Sequence, residues 1–400
     1  MRRQLLTIIG LLFLVLPVTA QGGQESASDS LEAIMLSPDY VKASLIVVGP
    51  GKSIYSGGGH TALRLTCPSQ QMDYYFSFEM ALKPIEKLRY LSGSGRAGYA
   101  YTDFKTALNL YKAEGREMRG IQLNLSPCQK QELWRFLDTE YEKGPWRTFD
   151  YKDNNCSKMI VYAIGRSLGN EKIVWEYDSP ELSGTYRSLL VNQFMHSPWN
   201  SLLLNLHLGE IGDDTFVGTS WLWPTFLLQE AQKAVIYDNK GNKRPLVVGE
   251  ECILLKQTEE NKPFLVTPKL LFVLLLVIAV VISLYQCYSK VVAVGYLIDV
   301  PFMCIHTLFG AFYTMTTISG ISTGFNWIVL ILNPLPFLLW IMFRKKPVMK
   351  VLYLLYTVIL LGYMACTPWL PQLRTTPIAI LFMAFAVRSF YHYYCLRKNT

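Results

Sequence analysis

Hydrophobic positions divide the 400-residue chain into three stretches of different pattern. Residues 5–15 form an apolar run behind Arg2 and Arg3 that closes on Val18-Thr19-Ala20, so residues 1–20 read as a cleavable secretory leader. Residues 21–268 mix polar and apolar positions over a length sufficient for one soluble core. Apolar runs of spanning length then recur near residues 270–288, 291–314, 327–343, 348–366 and 378–394, which makes 269–400 a five-helix membrane domain. Within the soluble stretch, short apolar runs and alternation predict strands over 43–48, 60–67, 74–78, 118–125 and 146–151. Ser126-Pro127 supplies a helix cap and first turn, with Leu133, Phe136 and Leu137 at helical spacing behind it. Residues 84–114 read as helical or irregular. The fold class expected is therefore α+β, an antiparallel sheet carrying a packed helix, followed by membrane helices. Residues 169–267 are rich in aromatics (Trp199, Trp221, Trp223, Phe226) and read either as an amphipathic segment at the bilayer interface or as ordinary core.

Charge fixes the orientation. Lys290, then Arg344-Lys345-Lys346 with Lys350, then Arg397-Lys398 fall on alternate loops, whereas the intervening loops carry only Arg374. The positive-inside rule puts the C-terminus in the cytoplasm and the soluble domain outside it, in agreement with the leader. The formal net charge of +8 partly reflects these loops and the leader, so it does not argue for nucleic-acid binding. Four of the eight cysteines, Cys67, Cys128, Cys156 and Cys252, lie in the exported stretch, where a Cys67–Cys128 bridge is one pairing among those open.

Cys156 carries the chemistry. It follows Asp153-Asn154-Asn155 and opens the helix-like run Met159-Ile160-Val161-Tyr162-Ala163-Ile164, and a thiol at a helix N-terminus feels the positive end of the dipole. His60 follows Gly57-Gly58-Gly59 at the start of a strand, where backbone can approach closely and the ring can be held. A thiol on a helix tip and an imidazole on a strand make a papain-like pair, with an imidazolium expected to favour the thiolate. Asp73, Ser77 and Glu79 are the candidates to orient the imidazole. Asn154 or Asn155 caps the helix, and the Cys156 backbone N–H is an oxyanion donor. Arg64 and Arg116 are candidate contacts for a lipid phosphate or else ordinary ion-pair partners. Asp299 lies inside the second apolar run and is a functional candidate unless it serves packing through a hydrogen bond. No short His or Cys spacing suggests a metal, and no cofactor is implied.

These residues carry a resemblance. Gly49-Pro50-Gly51 with Ile54-Tyr55-Ser56, Gly59-His60-Thr61-Ala62-Leu63-Arg64, Tyr111 with Glu114-Gly115-Arg116, Leu123-Asn124-Leu125 and Asp153-Asn154-Asn155-Cys156-Ser157 resemble the periplasmic domain of the Lnb family of bacterial lipoprotein N-acyltransferases. Asp299, Asn326-Trp327 and Asn333-Pro334-Leu335 are similar to that family's five-helix membrane module. The resemblance implies a circularly permuted papain-like fold of the NlpC type in the inner membrane, with His60 as base and Cys156 as acyl-accepting nucleophile. It implies a phospholipid acyl donor and a diacylated lipoprotein acceptor, with Tyr55 in the substrate-contacting set. The rival reading from the same two residues is a membrane-anchored NlpC-type peptidoglycan amidase or peptidase, and a third is a scaffold that retains an inactive fold.

Overall fold

A computed structural model describes residues 35, 40–53, 56–80, 85–86, 89, 94–150, 152–175, 184–194, 197–215, 223–257, 265–319, 324–343 and 345–398. The leader, Tyr55, Tyr151, Trp221 and Arg344 lie outside them. The chain runs β1 (Lys42–Val48), β2 (His60–Cys67), β3 (Met72–Met80), β4 (Arg96–Asp103), α1 (Phe104–Ala113), β5 (Met118–Leu123), α2 (Pro127–Lys143), β6 (Arg147–Thr148) and α3 (Cys156–Ser167). It continues through β7 (Lys172–Val174), α4 (Tyr186–Gln193), α5 (Pro198–His207), α6 (Pro224–Lys233), β8 (Val235–Tyr237), β9 (Lys243–Pro245) and β10 (Val247–Leu254). Seven strands form one antiparallel sheet in the order β10-β5-β1-β2-β3-β4-β6, and β7-β8-β9 form a small second one.

Alternation decides which side chains meet which helices. Ala43, Leu45, Leu63, Leu65, Phe76, Phe78, Ile121 and Leu123 point to one face, where they are buried with residues of α2, α3 and α6. Ile46, Val48, Ala62, Tyr75 and Met118 point to the other, beneath Phe104, Ala107 and Tyr111 of α1. The expected cap of α2 is present: the Ser126 hydroxyl accepts from Gln129 N, and the Gln129 side chain accepts from Ser126 N, 2.9 Å.

Three expectations are corrected here. The stretch 84–114 contains β4, whose Gly98 and Ala100 dilute the strand signal; a Cβ on Gly98 would lie 2.8 Å from the Pro145 backbone, so close packing excludes a larger residue. The segment 169–267 is not one interfacial ribbon, since α6, β8 and β10 return to the soluble core through Leu227, Ala231, Ile236 and Leu246, and β10 is an edge strand of the main sheet. Cys67 and Cys128 are not bridged, and all eight cysteines are free.

The C-terminal part comprises α7 (Pro268–Ser289), α8 (Tyr296–Ser319), α9 (Leu335–Met342), α10 (Lys346–Ala365), α11 (Pro371–Thr375) and α12 (Ile378–Lys398). Among the described residues four helices, built on α7, α8, α10 and α12, are long and apolar enough to cross a membrane. The third expected span is shorter: a 3-10 turn at Trp327–Leu330 precedes eight residues of α9. Proline at 334 lacks an amide hydrogen, and Asn333 turns its side-chain amide onto the Val329 carbonyl at 3.0 Å, so a continuous helix is not formed.

Buried amides tie the two parts together. Asn326 Nδ2 donates to Leu206 O at 2.7 Å, Gln372 Nε2 to Leu208 O at 2.8 Å, and Asn205 Nδ2 to Thr375 Oγ1 at 2.8 Å. Leu202 and Leu206 of α5 are buried in the apolar cluster of the helical part. Lys290 ends α7, Lys345 precedes α10 as its N-cap, and Arg397 lies in the last turn of α12.

Candidate active site

The sheet opens where Cys156 arrives. Pairing of β2 with β3 ends at Ala62↔Ser77, while β1 stays paired through Val48↔His60 and β3 continues on β4 to Met80↔Ala97. The first two residues of β2 are thus freed on one side. Cys156, at the first position of α3, comes to that split. The Thr61 backbone N–H bonds toward its sulfur, and beneath it the Thr61 and Ser157 hydroxyls meet at 2.8 Å in a fully buried contact. Thr61 is the residue after His60, so helix tip and strand start are placed side by side.

The local sequence explains the posture of both elements. Asn155 is the N-cap of α3, its side chain accepting from Lys158 N at 2.9 Å, while Asn154 Nδ2 donates to Asp150 Oδ2 at 2.9 Å and stiffens the approach. Asn155 is thus the capping residue and Asn154 supports the preceding loop. Two of the three glycines ahead of His60 lie under an aromatic wall. A Cβ at Gly57 would fall 1.9 Å from Phe194 and one at Gly58 2.6 Å from Trp223, while Gly59 adopts φ +82° with Val48 O close by. Gln193, with its amide turned to suit both neighbours, donates to Gly57 O at 3.0 Å and accepts from the Trp223 indole. Trp223 and Phe194 were not foreseen as part of the site; the signal was the glycine run itself, which demands something large lying on the backbone.

Electrostatics favour a neutral pair. Burial, and then the Arg116 guanidinium, push the His60 imidazole down from 6.5 to about 4. Burial also raises the Cys156 thiol above its ordinary value, with the Thr61 N–H and the Ser157 hydroxyl pulling part of the way back. No hydrogen bond joins the two side chains, and His60 Nε2 is enclosed without a partner. Burial therefore works against the expected imidazolium–thiolate pair at both side chains.

The remaining candidates separate. Asp73 is excluded as the orienting group, since it pairs opposite Thr66, six residues and about 20 Å along β2 from His60. It instead forms a two-pronged ion pair with Arg64 at 2.8 and 2.7 Å, and the Arg64 guanidinium stacks 3.8 Å over Phe104. Arg64 is accordingly committed within the fold. Ser77 is buried at the last β2–β3 pair and donates to Glu79, whose carboxyl is pushed up by burial although the side chain keeps solvent access. Arg116, only 5% exposed, does reach the site. Its Nε donates to Gly49 O at 2.8 Å, and its carbon lies 4.9 Å over the Tyr111 ring. The Tyr75 and Tyr111 hydroxyls, 3.1 Å apart, complete a buried polar cluster influenced by Glu79 and Cys156; burial raises both phenols, Tyr111 to about 12. Tyr75 carried no sequence signal, being one aromatic among several in an apolar strand.

Asp299 lies elsewhere. It accepts from Arg388 Nε and Nη2 at 2.7 Å each and meets His392 Nε2 at 2.9 Å, at the end of the bundle remote from the sheet. Arg388 also donates to Ser283 Oγ and Gln286 Oε1. The membrane carboxylate is thus paired and hydrogen-bonded between three helices, not a contact of the Cys156 site. The cavity of about 270 Å³ beside it, lined by His306, Tyr356 and mostly apolar residues, belongs to the same half of the bundle.

Two family models match the chain: the Lnb N-terminal periplasmic domain over residues 33–190 and the Lnb transmembrane domain over residues 258–399, together about three quarters of the sequence. No curated protein and no solved structure matches it.

Proposed function

The chain belongs to the Lnb family, and from that premise we propose that it moves a fatty acyl chain from a membrane phospholipid to the N-terminal amine of a diacylglyceryl-cysteine lipoprotein. It is an inner-membrane protein with a periplasmic N-terminal domain. In this reading residues 21–268 are the catalytic domain, a permuted papain-like fold, and the short segment Trp327–Met342 completes a fifth crossing, leaving the C-terminus in the cytoplasm.

The reaction divides into two transfers. His60 takes the Cys156 proton as the sulfur attacks the donor ester, and a thioester forms as the lysophospholipid leaves with that proton. The lipoprotein amine then attacks the thioester, His60 accepts the amine proton, and the thiol is regenerated. A thiol held neutral until a base deprotonates it at the moment of attack suits a buried site. The backbone N–H of Cys156, in the first turn of α3, is the oxyanion donor this reading requires.

One observation carries the proposal: the loop before His60 packs on Phe194 and Trp223, these pack with Leu204 and Leu208 of the α5 segment, and Leu202 and Leu206 of the same helix are buried among the membrane helices. This run of contacts supports a thiol that works on the bilayer side of the protein, which a wall hydrolase on a simple anchor would not need. The test is reconstitution of the full chain with phospholipid and a diacylated lipopeptide. An amide-linked third chain, found by mass spectrometry, is expected; cleavage of peptidoglycan peptides without lipopeptide acylation would sink the proposal.

A further inference from the structure

The polar surroundings of His60 lack one acceptor. Val48 pairs with His60 on one side and with Met118 on the other, so His60 and the residues just before Met118 flank a single strand end, about 10 Å apart across it. Arg116 crosses this end. Besides its bond to Gly49 O, Nη1 donates to Glu114 at 3.0 Å, and a Cβ on Gly51 would stand 3.3 Å from Arg116 Cδ, so the guanidinium is held in one posture. Its other terminal nitrogen, Nη2, is buried without a partner, as is His60 Nε2. Among the described residues no protein group supplies the acceptor: Asp73 is far along the strand, and neither nitrogen has a hydrogen-bond partner.

Resting on the acyl-transfer reading, we propose that a phosphate oxygen of the acyl donor is that acceptor, taking hydrogen bonds from Arg116 Nη2–H and His60 Nε2–H together. The donor then completes the site that it uses. A proton fixed on Nε2 leaves Nδ1 as the nitrogen that receives the Cys156 proton. A phosphodiester, carrying charge, offers the unpartnered Nη2 edge of the guanidinium a charged acceptor in addition to Glu114, where a neutral glyceride offers only ester carbonyls, so Arg116 selects donors by headgroup phosphate and leaves chain length to other residues. The cationic amine of the acceptor is repelled from the same position, which keeps the donor end of the cleft for the donor.

Binding can be read without turnover. Full-length protein in detergent is given ether-linked phosphatidylglycerol, which cannot be cleaved, or the matching dialkylglycerol, and protection of Cys156 from iodoacetamide is followed by mass spectrometry. Protection by the phospholipid is expected at about ten- to hundredfold lower concentration. Arg116→Gln should collapse that gap and Arg116→Lys should keep part of it. Equal protection by the two lipids in the wild type, a comparison that needs no variant, overturns the proposal, as does a gap that persists in Arg116→Gln. Glycerol phosphate protecting as well as the phospholipid would assign the site to soluble phosphate esters and overturn its lipid character. Failure of lipopeptide acylation alone would instead strike the acyl-transfer reading while the protection result stands.

Discussion

Gly57→Ala tests how the strand that carries His60 is held. The added methyl would lie 1.9 and 2.0 Å from two carbons of the Phe194 ring, where ordinary contact is about 3.5–4.0 Å, so ring or loop must move by roughly 1.5 Å. Overpacking of that size costs about 1–3 kcal/mol. Phe194 is 4% exposed, and Phe194→Ala alone removes a buried ring at about 3–5 kcal/mol. In the double variant the methyl occupies space the ring has left, so the two costs should fall short of additivity by about 1 kcal/mol or more. Gly59→Ala is the control: its positive φ and the Val48 carbonyl 2.8 Å away penalise it whether or not Phe194 is present. Denaturant unfolding of the full chain in detergent measures all five proteins. Additive costs for Gly57→Ala and Phe194→Ala within about 0.5 kcal/mol would refute the wall-on-glycine account.

Other outcomes follow from the same geometry. Alkylation of Cys156 should rise with pH through and beyond 9.0, and His60→Ala should change the rate at pH 7 little, because no resting ion pair exists to lose; a plateau already reached at pH 7 would contradict the neutral pair. His60 excludes a proton in the folded state, so its contribution is complete above pH 6.5 and lost as pH falls toward about 4, at most about 3 kcal/mol. His207, also lowered to about 4 by burial, acts in the same sense, so His60→Phe should reduce the acid slope of stability without abolishing it. Asp299→Ala strands the Arg388 guanidinium in the bundle and should cost about 3–5 kcal/mol in detergent unfolding, whereas Asp299→Leu with Arg388→Met should recover most of that loss. At a temperature where the single variant is still folded, lipopeptide acylation should persist; its loss would return Asp299 to the candidate substrate contacts.

Local patterns were legible where one residue's chemistry dictates its place. Asn154-Asn155 and Ser126 announce helix starts because such side chains satisfy backbone donors; the Ser126 cap forms as the spacing predicts, and of the two asparagines it is Asn155 that caps. Strands β1, β2, β3 and β5 follow from short apolar runs, whereas β4 and β10 did not stand out, because small and charged residues on them are chosen by neighbours distant in sequence. Within the site, Cys156 and His60 were visible from motif and position, and Arg116 from its motif. What no local pattern encodes is the split between β2 and β3, the loss of Asp73 to Arg64, or the Phe194 and Trp223 wall, all of which are products of register and packing. Burial opposes the electrostatic expectation for the same reason: the dipole is local, and desolvation belongs to the whole fold.

The most direct test is to supply the purified full-length protein with phospholipid alone, withhold the lipoprotein acceptor, and weigh the peptide containing residue 156. A hydroxylamine-labile acyl chain on the Cys156 sulfur, discharged as an amide when a diacylated lipopeptide is added and absent from Cys156→Ala, is the expected result. Amide formation at the wild-type rate by Cys156→Ala would contradict the account.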